Sequence, residues 1–204
     1  MSWVVHLAVA VAAGYLLGSV PVAVLVGRRS QGIDLRETGD RNPGYWNAKE
    51  SLGRKAALPV FVGDTLKGVA AGGVGLAVGG GWWCYAAVAA AMAGHAYPLF
   101  AGFRGGRSIL TFVGGMCVIS PLTAAVGIGL VLVVWLASRS FAWGARAGVF
   151  AAPVIQLAVD GPGAWRRPLA TFALQGIIGF RFLLAARAGR GGRSGARPQE
   201  AGDQ

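Results

Sequence analysis

Residues 109–137 read ILTFVGGMCVI, then Ser120-Pro121, then LTAAVGIGLVLVVWLA, without a single charged position. A run of this kind reads as membrane-spanning helix, because lipid offers no partner to an unpaired backbone amide. It admits two forms: one long tilted helix, or two short ones, Ile109–Ile119 and Leu122–Ala137, hinged at Ser120-Pro121. Proline suits the first turn of a new helix, where its missing N–H costs nothing. Charge selects the same division. Two helices give about seven spans, the others being Trp3–Val26, Ala56–Val78, Trp82–Phe100, Ala147–Val159 and Leu169–Ala186. With the amino end outside, the arginines of the long loops and of the tail then lie in the cytoplasm, and only Arg166 and Arg167 stay outside. One long helix would send the tail arginines across, against the positive-inside rule.

The composition agrees with an all-α, polytopic membrane bundle whose carboxy terminus is cytoplasmic. Of 204 residues, 54% are hydrophobic and 13% charged. The mean hydropathy is +0.55. Too few polar side chains exist to cover a soluble domain. Lys and Arg outnumber Asp and Glu by 19 to 8. This charge sits between apolar runs and forms no face on a soluble fold, so the expected contact is anionic head groups and no nucleic acid. Residues 1–187 are expected to form the transmembrane domain, and 188–204 a disordered Gly/Arg-rich tail. The first apolar run lacks a basic start and is followed by Arg28 and Arg29, so it is expected to be retained rather than cleaved. Cys84 and Cys117 fall inside apolar runs, and with His6 and His95 they offer no metal-ligand spacing; no cofactor is expected. Among the 34 glycines, Gly14/Gly18 and Gly75/Gly79 have the spacing that lets membrane helices approach closely.

Polar chemistry gathers in four places. The loop Gly27–Lys55 has the centre Gly39-Asp40-Arg41-Asn42-Pro43-Gly44-Tyr45-Trp46-Asn47, where Gly and Asn permit amide-lined anion nests and Arg36, Arg41 and Lys49 add charge. An ordinary interfacial turn anchored by Tyr45 and Trp46 would look similar. The loop Gly102-Phe103-Arg104-Gly105-Gly106-Arg107-Ser108 leads into a helix and reads as a phosphate cradle or as a positive-inside anchor. It is not a Walker loop, since spacing and lysine are wrong. Asp64 and Lys67, at i and i+3, share a helix face inside a span, where ionisable groups pair or line a cavity. His95 follows Gly94 near the end of the next span. All of these fall at or near cytoplasmic ends of spans, so anion-binding groups from several helices are expected to converge on one face.

In this order the residues resemble the bacterial acyl-phosphate:glycerol-3-phosphate acyltransferase family. The resemblance is carried by residues 15–21, by Ile33-Asp34-Leu35-Arg36, by Gly39 through Asn47, by Gly63-Asp64-Thr65-Leu66-Lys67-Gly68, by Gly94-His95 with Pro98, by Gly102 through Arg107, and by Ser120-Pro121. It implies a multi-pass protein of the bacterial cytoplasmic membrane that moves a fatty acyl group from acyl phosphate to the sn-1 hydroxyl of glycerol 3-phosphate, making lysophosphatidic acid for phospholipid synthesis. It further implies that Asn42, Gly44 and Asn47 shape the first loop, and that Gly105, Gly106 and Arg107 form the second. His95 and Arg107 are the expected catalytic residues. Arg36, Arg41, Asn42, Gly44, Asn47, Lys49, Asp64, Lys67, Arg104, Gly105 and Gly106 are the expected substrate-binding ones.

The chain departs from the family at several points. Asp40 stands where a serine is usual, and Tyr45 and Trp46 replace a small residue and a threonine. Glu50 replaces an arginine, and Arg107-Ser108 replace lysine and glycine. Ala142 stands for a serine. The carboxy-terminal histidine and asparagine are absent. Two other functions therefore stay open: a non-catalytic lipid-binding scaffold, and a small transporter lined by Asp64, Lys67 and His95.

Overall fold

The computed structural model describes the backbone of residues 2–194 and side chains through Arg187. Among the described residues nine α-helices follow one another: α1 Trp3–Gly18, α2 Val22–Gln31, α3 Tyr45–Leu52, α4 Arg54–Val78, α5 Trp82–Ala96, α6 Ile109–Ile119, α7 Pro121–Ser138, α8 Phe141–Asp160 and α9 Arg166–Ser194. No strand occurs among the described residues. Among the described residues six helical segments, with α1 and α2 counted together, are long and apolar enough to cross a membrane, and α6 is a shorter apolar helix. This is a multi-pass, all-helical membrane protein. The stretch expected as a disordered tail, 188–204, begins inside α9, which runs to Ser194; its remainder, 195–204, lies outside the described residues.

Residues 109–137 form two helices. Ser120 breaks the run at φ −151°, ψ 84°, and Pro121 opens α7. The Ser120 and Thr123 hydroxyls, 2.8 Å apart, pair at the break. Contacts fix the directions. At one end of the bundle Arg167 donates to Ile119 O at 3.1 Å and pairs with Asp160 at 3.0 Å. At the other end Trp46 stacks on Phe141, with centroids 6.1 Å apart, and Trp135 meets the same ring edge-on. The chain therefore runs away from the loop end along α6 and returns along α7.

Small residues set the spacing. A Cβ on Gly14 or Gly18 would run into the Ala87 or Ala91 carbonyl, so α1 and α5 touch backbone to backbone. Gly68 of α4 and Gly114 of α6 do the same for that pair, against the carbonyls of Thr111 and Thr65. The expected Gly75/Gly79 packing pair is half right. Gly75 lies against Cys84 of α5, but Gly79 stops α4 at φ 147°, a conformation that side-chain-bearing residues avoid. The span expected over 147–159 is longer: α8 starts at Phe141 and carries Pro153 inside it. Membrane helices tolerate an internal proline where neighbouring groups accommodate the freed carbonyl. Arg146 is held at the helix start by stacking 5.0 Å from the Trp143 ring.

A break between α1 and α2 prepares the site. Proline at 21 has no N–H, and the Val22 N–H bonds to Val20 O at 3.0 Å rather than to Gly18 O. The Gly18 carbonyl is then open to a donor from elsewhere, and the Val20 carbonyl keeps a second lone pair for one.

Candidate functional site

That donor is Lys67. Its ammonium reaches Gly18 O at 3.3 Å and Val20 O at 3.0 Å. It also pairs with Asp64 Oδ1 at 2.9 Å, one helical turn away. Asp64 is 2% exposed and Lys67 7% exposed, so this ion pair is buried. Burying two charges is tolerable only when the pair is close and other hydrogen bonds support it. Here the broken α1–α2 backbone supplies them. Thr111 fixes the Asp64 turn from the α6 side, donating to Asp64 O at 3.2 Å.

His95 completes the cluster from α5. Its Nδ1 stands 3.6 Å from Asp64 Oδ1, longer than a hydrogen bond. Its Nε2 faces Gly106 so closely that a Cβ there would collide with it. The imidazole thus lies between a carboxylate and the second loop. A narrow cavity runs beside it, bordered by Gly18, Pro21, Pro43, Arg104, Gly105 and Gly106 as well as Asp64, Lys67 and His95.

The two loops meet over this cluster. The first is braced internally. Arg36 wraps Asp34, with Nη2 to Oδ2 at 2.6 Å and Nε to Oδ1 at 2.9 Å. That guanidinium holds the Asp34 carboxyl well below the usual carboxylate range, and the carboxylate raises the arginine's own value in turn. Arg36 Nη1 also donates to Ala101 O at 2.8 Å, tying the first loop to the start of the second. Asn47 is fully buried and donates to Leu35 O and Thr38 O at 2.9 and 2.8 Å. In the second loop Gly106 N–H donates to His95 O at 3.1 Å, and Ser108 Oγ donates to Met92 O at 2.7 Å. Phe103, Ser108 and, in the first loop, Arg41 adopt φ near +60°.

A wider cleft of about 420 Å³ opens where the loops adjoin α9. Asp40, Arg41, Asn42, Gly105, Arg107, Arg181, Leu184 and Ala185 line it. Three guanidinium groups face one carboxylate there, a setting that favours an anion. Arg107 stacks 4.6 Å from the Phe182 ring.

The expected site residues divide accordingly. Arg41, Asn42, Gly105 and Arg107 line the wide cleft, and Asp64, Lys67, His95, Arg104, Gly105 and Gly106 the narrow cavity. Arg36 and Asn47 brace the first loop from within. Gly44 caps α3, and Lys49 stacks 4.4 Å above Trp46; neither borders a cavity described here. Arg104 is paired with Glu37 at 2.7 Å. Sequence reasoning missed Arg181 as a site residue. The available signal was an arginine within an apolar span, which is costly unless it has work there.

The chain is similar to proteins of one known family over most of its length. The family model described as glycerol-3-phosphate acyltransferase matches residues 8–187. A glycerol-3-phosphate acyltransferase of Synechococcus sp. is 36% identical over 169 residues, 83% of this chain and 82% of its own. That of Rubrobacter xylanophilus is 44% identical over 130 residues, 62% of this chain and 63% of its own. Among solved structures, PlsY, an integral membrane glycerol 3-phosphate acyltransferase in its glycerol 3-phosphate form, superposes with a TM-score of 0.78 at 27% identity, covering 92% of this chain and 93% of that one. Its lysophosphatidic acid form gives 0.76 at 26% identity, with the same coverage of both chains.

Proposed function

We propose that this chain, which belongs to the glycerol-3-phosphate acyltransferase family, transfers an acyl group from acyl phosphate to the sn-1 hydroxyl of glycerol 3-phosphate, releasing lysophosphatidic acid and phosphate in the bacterial cytoplasmic membrane. The observation that carries this reading is the meeting of two cationic, glycine-bearing loops over the buried Asp64–His95–Lys67 cluster. By the positive-inside rule the loop end of the bundle is cytoplasmic, with the amino terminus outside. Both substrates carry phosphate, and Arg41 and Arg107 offer charge where the cleft opens.

The chemistry follows from the positions. The acceptor hydroxyl attacks the acyl carbonyl, and the acyl–phosphate oxygen bond breaks. His95, backed by Asp64 on Nδ1, has its Nε2 toward the loop and takes the hydroxyl proton. It returns that proton to the departing phosphate. Amides and guanidinium groups of the second loop stabilise the charge that develops. Phosphate leaves readily, so no protein nucleophile and no cofactor is needed. The Asp64–His95 distance of 3.6 Å is expected to shorten when substrate binds.

One observation favours a second reading, a lipid-binding scaffold without catalysis. Arg107 and Arg104 are engaged by Asp40 and Glu37, at 3.3 and 2.7 Å. The experiment that separates the two is release of lysophosphatidic acid by the purified protein in detergent, given acyl phosphate and glycerol 3-phosphate. Activity that disappears in Arg107→Ala supports the enzyme. Intact phospholipid binding without product supports the scaffold.

A further inference from the structure

We propose that Arg181 is a positioning residue that clamps the second loop onto His95 and so presents Arg107 to the substrate phosphate. The inference rests on the functional reading above and names a residue that reading does not use. Arg181 lies in α9 among Phe180, Phe182 and Leu183, where a charge is costly unless it finds partners. It finds two backbone carbonyls. Its Nε–H donates to Gly106 O at 3.0 Å and its Nη2–H to Gly105 O at 2.6 Å. Its guanidinium also stacks 4.9 Å from the Tyr97 ring, and Tyr97 O is itself fixed by the Tyr15 hydroxyl at 2.8 Å.

The planar fork orients two successive peptide units at once. In a trans peptide the N–H points opposite to the C=O. With the Gly105 carbonyl turned to α9, the Gly106 N–H must point the other way, and it does so onto His95 O at 3.1 Å. The Gly106 carbonyl, turned likewise, directs the Arg107 N–H away from α9. Adjacent glycines have little conformational preference of their own. The loop is therefore held from two sides, by α9 through Arg181 and by α5 through His95. Its two hydrogen-bond partners are neutral carbonyls, and Arg181 borders the wide cleft beside Arg41 and Arg107.

The test uses the full-length protein in detergent with acyl phosphate and glycerol 3-phosphate, comparing wild type, Arg181→Ala and Arg181→Lys. A loop displaced by about an ångström is expected to lower kcat/KM of Arg181→Ala about 100-fold. The KM for glycerol 3-phosphate should rise, and lysine should restore part of the loss. Hydrogen exchange of the peptide spanning 102–108 should quicken in Arg181→Ala while α4 and α5 keep their protection. A fall in kcat with KM unchanged would mean only that less protein is folded, and would overturn the proposal; so would a kcat/KM near that of wild type. If wild type releases no lysophosphatidic acid, the functional reading fails by itself. Exchange then decides the clamp: faster exchange supports it and unchanged exchange overturns it.

Discussion

Asp40 Oδ2 stands 3.3 Å from Arg107 Nη2, so a carboxylate of the first loop already holds the cation that the second loop offers to a phosphate. Both side chains remain partly exposed, 38% for Asp40 and 25% for Arg107. Such a pair is worth up to about 1 kcal/mol, and an entering phosphate must displace it. Asp40→Asn is expected to lower KM for glycerol 3-phosphate by up to about fivefold with kcat unchanged. Steady-state kinetics at fixed ionic strength checks this, and an unaltered KM would remove Arg107 from the phosphate site.

The buried pair of Lys67 and Asp64 should respond asymmetrically. Lys67→Met leaves Asp64 buried without its cation and strands the Gly18 carbonyl. The cost should be about 3–5 kcal/mol. The double variant Asp64→Asn/Lys67→Met should recover part of that stability but no activity. Thermal unfolding in detergent reads the first outcome and product release the second. Single variants that melt with wild type would count against a buried pair.

Glycines on the helices should divide by what they face. Gly18→Ala puts a methyl into the Ala91 carbonyl, forcing α1 from α5. Gly73→Ala meets nothing within 4 Å on α4. The first is expected to destabilise by about 1–3 kcal/mol or more, and the second to stabilise by about 0.5–1 kcal/mol. Melting curves that rank them the other way would refute the packing.

Acid stability carries a signature of the first loop. The hydrogen bond from Arg36 holds the Asp34 carboxyl below its ordinary value, so folding is favoured by ionised Asp34. That contribution is complete above the unfolded value of about 4 and declines as pH falls through it toward the folded one. The excess in melting temperature of wild type over Asp34→Asn should therefore be level above about pH 5 and shrink below about pH 4. An excess that grows with acidity would contradict the assignment.

The spans were legible because lipid leaves the backbone few options and because Ser120-Pro121 marks a break in an uncharged run. The Asp64–Lys67 pair was legible because one turn of helix brings i and i+3 together. What a linear reading misses is partnership across the bundle. Nothing local to Asp40 announces Arg107, and Arg181 reaches a carbonyl 75 positions earlier in the chain. Asn47 was expected at the substrate; it is consumed by the loop's own carbonyls, a role that depends on how Leu35 and Thr38 fold back over it. The carbonyls of Gly18 and Val20 that receive Lys67 were equally invisible, since they are presented by the bend at Pro21.

The guanidinium that grips Gly105 and Gly106 belongs to the last of the described helices. A ribosome that has threaded everything up to residue 165 into the bilayer has therefore built the scaffold but not the fastening. Activity should switch on only once α9 docks, and truncation before Arg181 should yield an inserted yet idle protein.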